Sequence, residues 1–134
     1  YHRSCGVIPF RRGENGLEYL LLLQRESHTW SFPKGHQEMG ETERETVLRE
    51  TLEETGCRAE LADGFRQEIT YALKERKGQK RVTLFLGRLE GELSLRQEEI
   101  VTARWMNAEQ ALTLLHQGYR PILEKTERFL SKQS

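Results

Sequence analysis

A mixed α/β sheet with helices packed against it is the fold class this sequence predicts, and three observations predict it. Strand-like apolar runs and helix-like patterns interleave along the chain. The segment from Thr42 to Gly56 carries both a helix start signal and a helix stop signal. The 134 residues contain only 3 prolines and no Pro/Gly/Ser-rich linker, which suits one domain over residues 1–134.

Taken in order, Cys5 to Arg11 reads as a first strand. The run Gly13-Glu14-Asn15-Gly16 then reads as a turn. Leu17 to Gln24 reads as a second strand, with Leu20 to Leu23 buried on both faces. Arg25 to Gly40 shows neither period and reads as a long loop, a kind of segment that in a compact domain tends to be functional. The helix follows, with Thr42 and Glu45 spaced as a capping box and Gly56 suited to close it. Cys57 to Ala62, Phe65 to Lys74, Lys80 to Leu89 and Ala103 to Met106 are strand candidates. Lys74 to Lys80 reads as a hairpin turn containing Gly78. Ala108 to His116 reads as a second helix, and Pro121 to Lys132 as a third with proline in its first turn.

Composition narrows the function classes. Lys plus Arg and Asp plus Glu both total 21, so the formal net charge is zero. General binders of nucleic acid or anionic membranes carry a basic excess, so no stable nucleic-acid partner and no membrane partner is expected. The longest apolar run, Tyr19 to Leu23, falls far short of the roughly 20 residues that span a bilayer. No signal-peptide pattern is visible, and because the sequence starts at Tyr1 a few native residues are expected upstream. Cys5 and Cys57 both lie in apolar surroundings and are expected to be buried free thiols, which points to a reducing, cytoplasmic setting.

The chemistry concentrates on the first helix. At about 100° per residue, with Glu50 at zero, Glu54 falls near 40° and Glu53 near −60°. Val47, Leu48, Thr51, Leu52 and Thr55 fill the next arc and form the predicted sheet-facing side, with Glu50 and Glu54 at its border. Crowded carboxylates raise one another's pKa, and a hard divalent cation relieves the repulsion. Arg49 lies beside Glu53 and four residues after Glu45, where a guanidinium could fix a carboxylate. Taken alone, such a Glu-rich helix also reads as an ordinary solvated face.

The wider pattern changes that balance. Gly35, then five residues, Glu41, then seven residues, and Arg49-Glu50-Thr51-Leu52-Glu53-Glu54-Thr55-Gly56-Cys57 resembles the signature of the Nudix hydrolases. All seven fixed positions (two Gly, four Glu, one Arg) are present, while Thr51 and Cys57 stand where an aliphatic residue is usual. The resemblance implies an α/β/α sandwich with a mixed β-sheet and a loop-helix-loop at the site. It also implies hydrolysis of a pyrophosphate bridge by water, with Mg²⁺ or Mn²⁺ as cofactor. Glu50, Glu53, Glu54 and the Gly35 carbonyl would be the metal ligands.

Residues outside the box bear on the substrate. Trp30, Pro33-Lys34-Gly35-His36, Glu68-Ile69-Thr70-Tyr71 and Arg104-Trp105 resemble the asymmetrically cleaving diadenosine tetraphosphate hydrolases within that family. That likeness implies a small-molecule nucleoside polyphosphate as the partner, cleaved to ATP and AMP. Tyr71 could stack on a base or be an ordinary strand aromatic. Lys34 is expected to hold phosphate. His36 could touch phosphate or be a solvated loop residue, and Lys80 could reach the polyphosphate or lie in solvent. Trp30 reads mainly as packing for the loop, and His28 carries little signal. Glu99, six residues before Trp105, is a candidate fourth ligand or general base, with Glu53 as the rival base. Arg49, Glu53 and Glu99 are therefore the expected catalytic set. Two alternatives stay open. One is another Nudix substrate (a diphosphoinositol polyphosphate, an RNA 5′-end or a nucleoside triphosphate). The other is a non-catalytic nucleotide-sensing module.

Overall fold

The computed structural model describes residues 2–72 and 78–133. In chain order the elements are β1 (His2–Gly13), β2 (Gly16–Gln24), β3 (Trp30–Ser31), β4 (Lys34–His36), α1 (Glu43–Thr55), β5 (Arg58–Leu61), β6 (Gln67–Ala72), β7 (Gln79–Glu90), β8 (Ile100–Met106), α2 (Ala108–Leu114) and α3 (Tyr119–Ser131). The predicted hairpin turn at 74–80 falls largely outside the described residues. Gly78, which is described, has φ +118°, a conformation that glycine adopts without strain.

The sheet is mixed, as its alternating pattern predicts. Its main path runs β3-β2-β1-β7-β5, with β4 on β1, β6 on β7 and β8 on β2. Among the described strands, β1 and β7 form the parallel pair and the other pairings are antiparallel. β1 changes partner midway: His2 to Pro9 follow β7, and Phe10 to Gly13 follow β2. Pro9 stands at that change, where a residue without an N–H costs the ladder least.

Residue parity then sorts the two faces. Cys5, Val7 and Phe85 point to one face and pack against Val47 of α1. Ile8, Phe10, Leu84 and Leu86 point to the other and join Phe32, Ala111, Tyr119, Ile122, Leu123 and Leu130 under α2 and α3. Helices thus cover both faces of one sheet. Leu20 to Leu22 are fully buried, as expected, while Leu23 is half-buried. Both cysteines are buried free thiols, and burial pushes the Cys5 thiol up to about 11, so it stays protonated and unreactive near neutral pH. No helix among the described residues is long and apolar enough to cross a membrane.

The segment 25–40 is not the uninterrupted loop that its lack of period predicts. Trp30 and Ser31 pair with Leu23 and Leu22, and Lys34 to His36 pair with Gly6 to Ser4. Two- and three-residue strands are too short to show alternation, so only their distant partners define them.

Candidate active site

The first helix begins where its cap predicts. The Thr42 hydroxyl accepts from the Glu45 N–H at 3.1 Å, and the Glu45 carboxylate accepts from the Thr42 N–H at 2.8 Å. Gly56 closes it at φ +73°, a left-handed cap that L side chains rarely adopt. The buried arc, however, is not the predicted one. Thr46, Val47, Thr51, Glu54 and Thr55 are buried, whereas Leu48 is 43% and Leu52 51% exposed. The predicted face was turned too far toward the leucines. The true one is centred on Glu54, a carboxylate that is only 4% exposed.

That burial is tolerated because the carboxylate is bonded. The Lys34 backbone N–H donates to Glu54 Oε1 at 3.0 Å. Burial and the neighbouring Glu50 charge still push the Glu54 carboxyl up to about 8. Burial also raises Glu50, against the pull of Arg49. Gly35, between these groups, has no room for a side chain: a Cβ there would overlap the Glu50 carboxyl.

Arg49 braces the helix to the loop before it. Its Nε donates to Glu41 Oε2 at 2.6 Å and its Nη2 to Glu41 Oε1 at 3.0 Å, the two-pronged geometry that fits guanidinium to carboxylate. Nη1 donates to Glu50 at 2.8 Å and, more weakly, to Glu53 at 3.4 Å, while Nη2 also reaches the His36 carbonyl. The predicted Glu45 partner is instead held by the cap. Glu41 further accepts from the Glu38 N–H and the Thr46 hydroxyl, and these bonds, led by Arg49, hold its carboxyl down at about 2.

Carboxylates from α1 and from the turn before β8 lie in one electrostatic neighbourhood, since Glu99 raises both Glu50 and Glu54. Their hard oxygens are the donors that Mg²⁺ or Mn²⁺ takes. As they stand, among the described residues, no three acidic, imidazole or thiol side chains converge closely enough to hold one ion. Glu50 is turned to Arg49, Glu53 to Arg49 and Arg96, and Glu54 to the Lys34 amide. Binding a cation therefore requires side-chain rotation, chiefly of Glu50 and Glu53.

Beside this ridge opens a cleft of about 1020 Å³. Lys34, His36, Tyr71, Lys80, Glu98 and Glu99 line it, as do Trp30, Leu115, His116 and Tyr119. Register explains the gathering. Tyr71 is opposite Lys80 on β6 and β7, and the same sheet face carries Lys34 and His36 on β4. Burial and the adjacent Lys80 ammonium push the Lys34 ammonium down. The His36 ring is turned with its Nδ1 3.3 Å from the Arg3 carbonyl. His28 is not among the lining residues but has positive φ, 56°, in the turn leading to β3.

One lining residue was not legible in the sequence. His116 stacks on Tyr71 with centroids 4.6 Å apart and planes 20° apart. The Gly118 N–H donates to His116 Nδ1 at 3.0 Å, which fixes its orientation. His116 lies in the turn after α2, and nothing in its local pattern marks β6 as its neighbour. Trp30 both packs on the core and lines the cleft, with the Arg104 guanidinium 5.9 Å from its ring centroid.

Comparison with known proteins bears on this arrangement. The family model described as the NUDIX domain matches residues 1–126. A mouse (Mus musculus) protein named bis(5′-nucleosyl)-tetraphosphatase [asymmetrical] is 35% identical, over 96% of this chain and 95% of its own. The pig (Sus scrofa) protein of that name is 34% identical over the same shares. The crystal structure of a C. elegans Ap4A hydrolase binary complex superposes with a TM-score of 0.88 at 25% identity, covering 98% of this chain and 99% of that one.

Proposed function

This chain belongs to the Nudix family, and from that premise we propose that it hydrolyses diadenosine tetraphosphate to ATP and AMP; relatives 34–35% identical to it carry the name asymmetrical bis(5′-nucleosyl)-tetraphosphatase. It is a Nudix hydrolase whose box retains all seven fixed residues. Non-catalytic sensing modules of this fold typically lose carboxylates of the box, and this chain retains all four.

The observation that carries the reading is the join of two unlike regions. A carboxylate ridge braced by Arg49 borders a cleft with lysines at 34 and 80 and a stacked Tyr71–His116 pair. Four linked phosphates need cationic partners, and an adenine needs an aromatic face. Lys34 and Lys80 are assigned to the polyphosphate, and His36, which lines the same cleft, to contact with it. Tyr71 is assigned to the base, with His116 setting its plane.

Nudix hydrolases in general use divalent metal ions. Here Glu50, Glu53, Glu54 and the Gly35 carbonyl are the proposed ligands for Mg²⁺ or Mn²⁺, and of the two roles open to Glu99, ligand or base, it is assigned that of base. Two features support the fit: the space at Gly35 that a side chain would fill, and the raised carboxyls of Glu50 and Glu54, which a cation would draw down. The ion, when bound, lowers the pKa of attacking water and offsets charge on the phosphates. Arg49 and Glu41 keep the ridge in place. Water adds to a phosphorus and the P–O bond to the leaving phosphate breaks, giving ATP and AMP. The water's proton passes to Glu99. That residue lines the cleft, and its ion-pair partner Arg96 is 3.9 Å away, whereas Glu53 is shared between Arg49 and Arg96. The two buried thiols fit a reducing compartment such as the cytoplasm.

The test is direct. Pure protein, Mg²⁺ and diadenosine tetraphosphate should yield ATP and AMP in equal amounts. Failure to release both would remove this substrate, and a panel of polyphosphates ranked by kcat/KM would find the right one.

A further inference from the structure

Two arginines meet the carboxylate ridge, in different ways. Arg49 is locked by contacts of 2.6 and 2.8 Å. Arg96 is not. Its Nη1 lies 3.8 Å from Glu53, and its Nε lies 3.8 Å from Glu98 and 3.9 Å from Glu99. These distances bring charges close yet exceed hydrogen-bonding range. The Arg96 side chain is 46% exposed, so it has solvent to move into. Its backbone is fixed: the N–H donates to the Glu54 carbonyl at 3.1 Å, and the carbonyl accepts from Glu99 and Ile100. Only side-chain torsions need change for the guanidinium to leave.

We infer that Arg96 is a displaceable counter-ion: its guanidinium neutralises Glu53, Glu98 and Glu99 before a divalent cation arrives and gives way when one binds. The inference rests on the cation reading of the ridge given above. Like-charged groups gathered without a partner repel, and a loosely held guanidinium offsets that repulsion. The same positive charge opposes an incoming dication. Long, solvent-screened pairs contribute little to holding the geometry, so opposition outweighs preorganisation and the residue weakens metal uptake. Arg96 thus sets the cation concentration at which the site fills.

The experiment titrates Mn²⁺ alone into the full chain at low ionic strength and follows free Mn²⁺ by electron paramagnetic resonance. Arg96→Gln should bind about fivefold tighter than wild type, since it removes a positive charge that lies within 4 Å of three carboxylates. Arg96→Lys, which keeps the charge, should stay near wild type. Arg96→Met should match Arg96→Gln and serves if the Gln variant folds poorly. Added salt should shrink the difference. Unchanged or weaker Mn²⁺ binding by both neutral variants, with uptake by wild type intact, overturns this inference alone. Absence of uptake by wild type overturns the cation reading itself. A purely structural Arg96 would alter the melting temperature of all three variants without a salt-dependent change in Mn²⁺ affinity.

Discussion

The backbone N–H of Lys34 donates to the Glu54 carboxylate at 3.0 Å, tying the strand that opens the site to the helix that carries its acids. The Lys34 side chain lines the cleft while its own amide steadies a proposed ligand. One residue therefore couples the cleft to the acidic ridge, and changes at Glu54 should be felt on both sides.

Glu54→Gln keeps an acceptor for that amide but removes the charge. Turnover should fall by at least about 100-fold, with little loss of folding, if the carboxylate serves the cation. Steady-state kinetics beside a circular dichroism melt checks this, and unchanged turnover would refute the assignment.

The pH dependence has a defined sign. The folded Glu54 carboxyl sits at about 8, above the usual carboxylate value of 4.5. A raised folded pKa contributes stability fully present below the unfolded value and lost as pH rises through the folded one. In chelator, wild-type melting temperature should fall between about pH 5 and pH 8 relative to Glu54→Gln. Mg²⁺ should reverse the order at pH 8, because a bound cation favours the ionised carboxylate. Parallel melting curves across that window would sink the proposal.

Arg49→Lys tests the brace. An ammonium cannot reproduce the two-pronged contact with Glu41 while also reaching Glu50. Small misplacements at a reacting centre cost heavily, so turnover should drop about 10- to 100-fold. Arg49→Lys should be no better than Glu41→Gln in single-turnover assays, and wild-type rates in either would contradict the bracing role.

Tyr71→Ala should act on binding. Base stacking is worth about 1–3 kcal/mol, so KM for the dinucleotide should rise about 5- to 100-fold with kcat less affected. His116→Ala should follow in the same direction but less strongly. A loss confined to kcat would assign Tyr71 elsewhere.

Thr51 makes an independent test of packing. It is fully buried, and its hydroxyl has no hydrogen-bond partner among the described residues. Thr51→Val keeps the shape and removes an unsatisfied oxygen, so the protein should gain about 1 kcal/mol, or about 3–5 °C in melting temperature. Differential scanning calorimetry reads this directly, and a lower melting point would show that the hydroxyl is satisfied after all.

Local signals in the sequence located much of this molecule. The Thr42–Glu45 box and Gly56 gave the limits of α1 within a residue, because caps are local chemistry. The spacing of Gly35, Glu41 and Arg49 marked groups that the fold does gather. The orientation of α1 escaped, because hydropathy ranks Leu48 and Leu52 above Glu54 for burial and cannot know of an amide waiting at Lys34. Helical spacing puts Arg49 beside both Glu53 and Glu45; it does reach Glu53, at 3.4 Å, while the cap claims Glu45. β3 and β4 escaped because their evidence lies in partners far along the chain. The His116–Tyr71 stack is tertiary in the same sense.

The inverted helix, acid inward and leucines outward, sets heat resistance and catalysis against each other. A glutamine at position 54 would keep an acceptor for the Lys34 amide without burying a charge, and so would suit the fold better than glutamate does. Laboratory evolution scored only on survival at high temperature would therefore drift toward a sturdier, inert protein, and any such campaign must screen for turnover in every round.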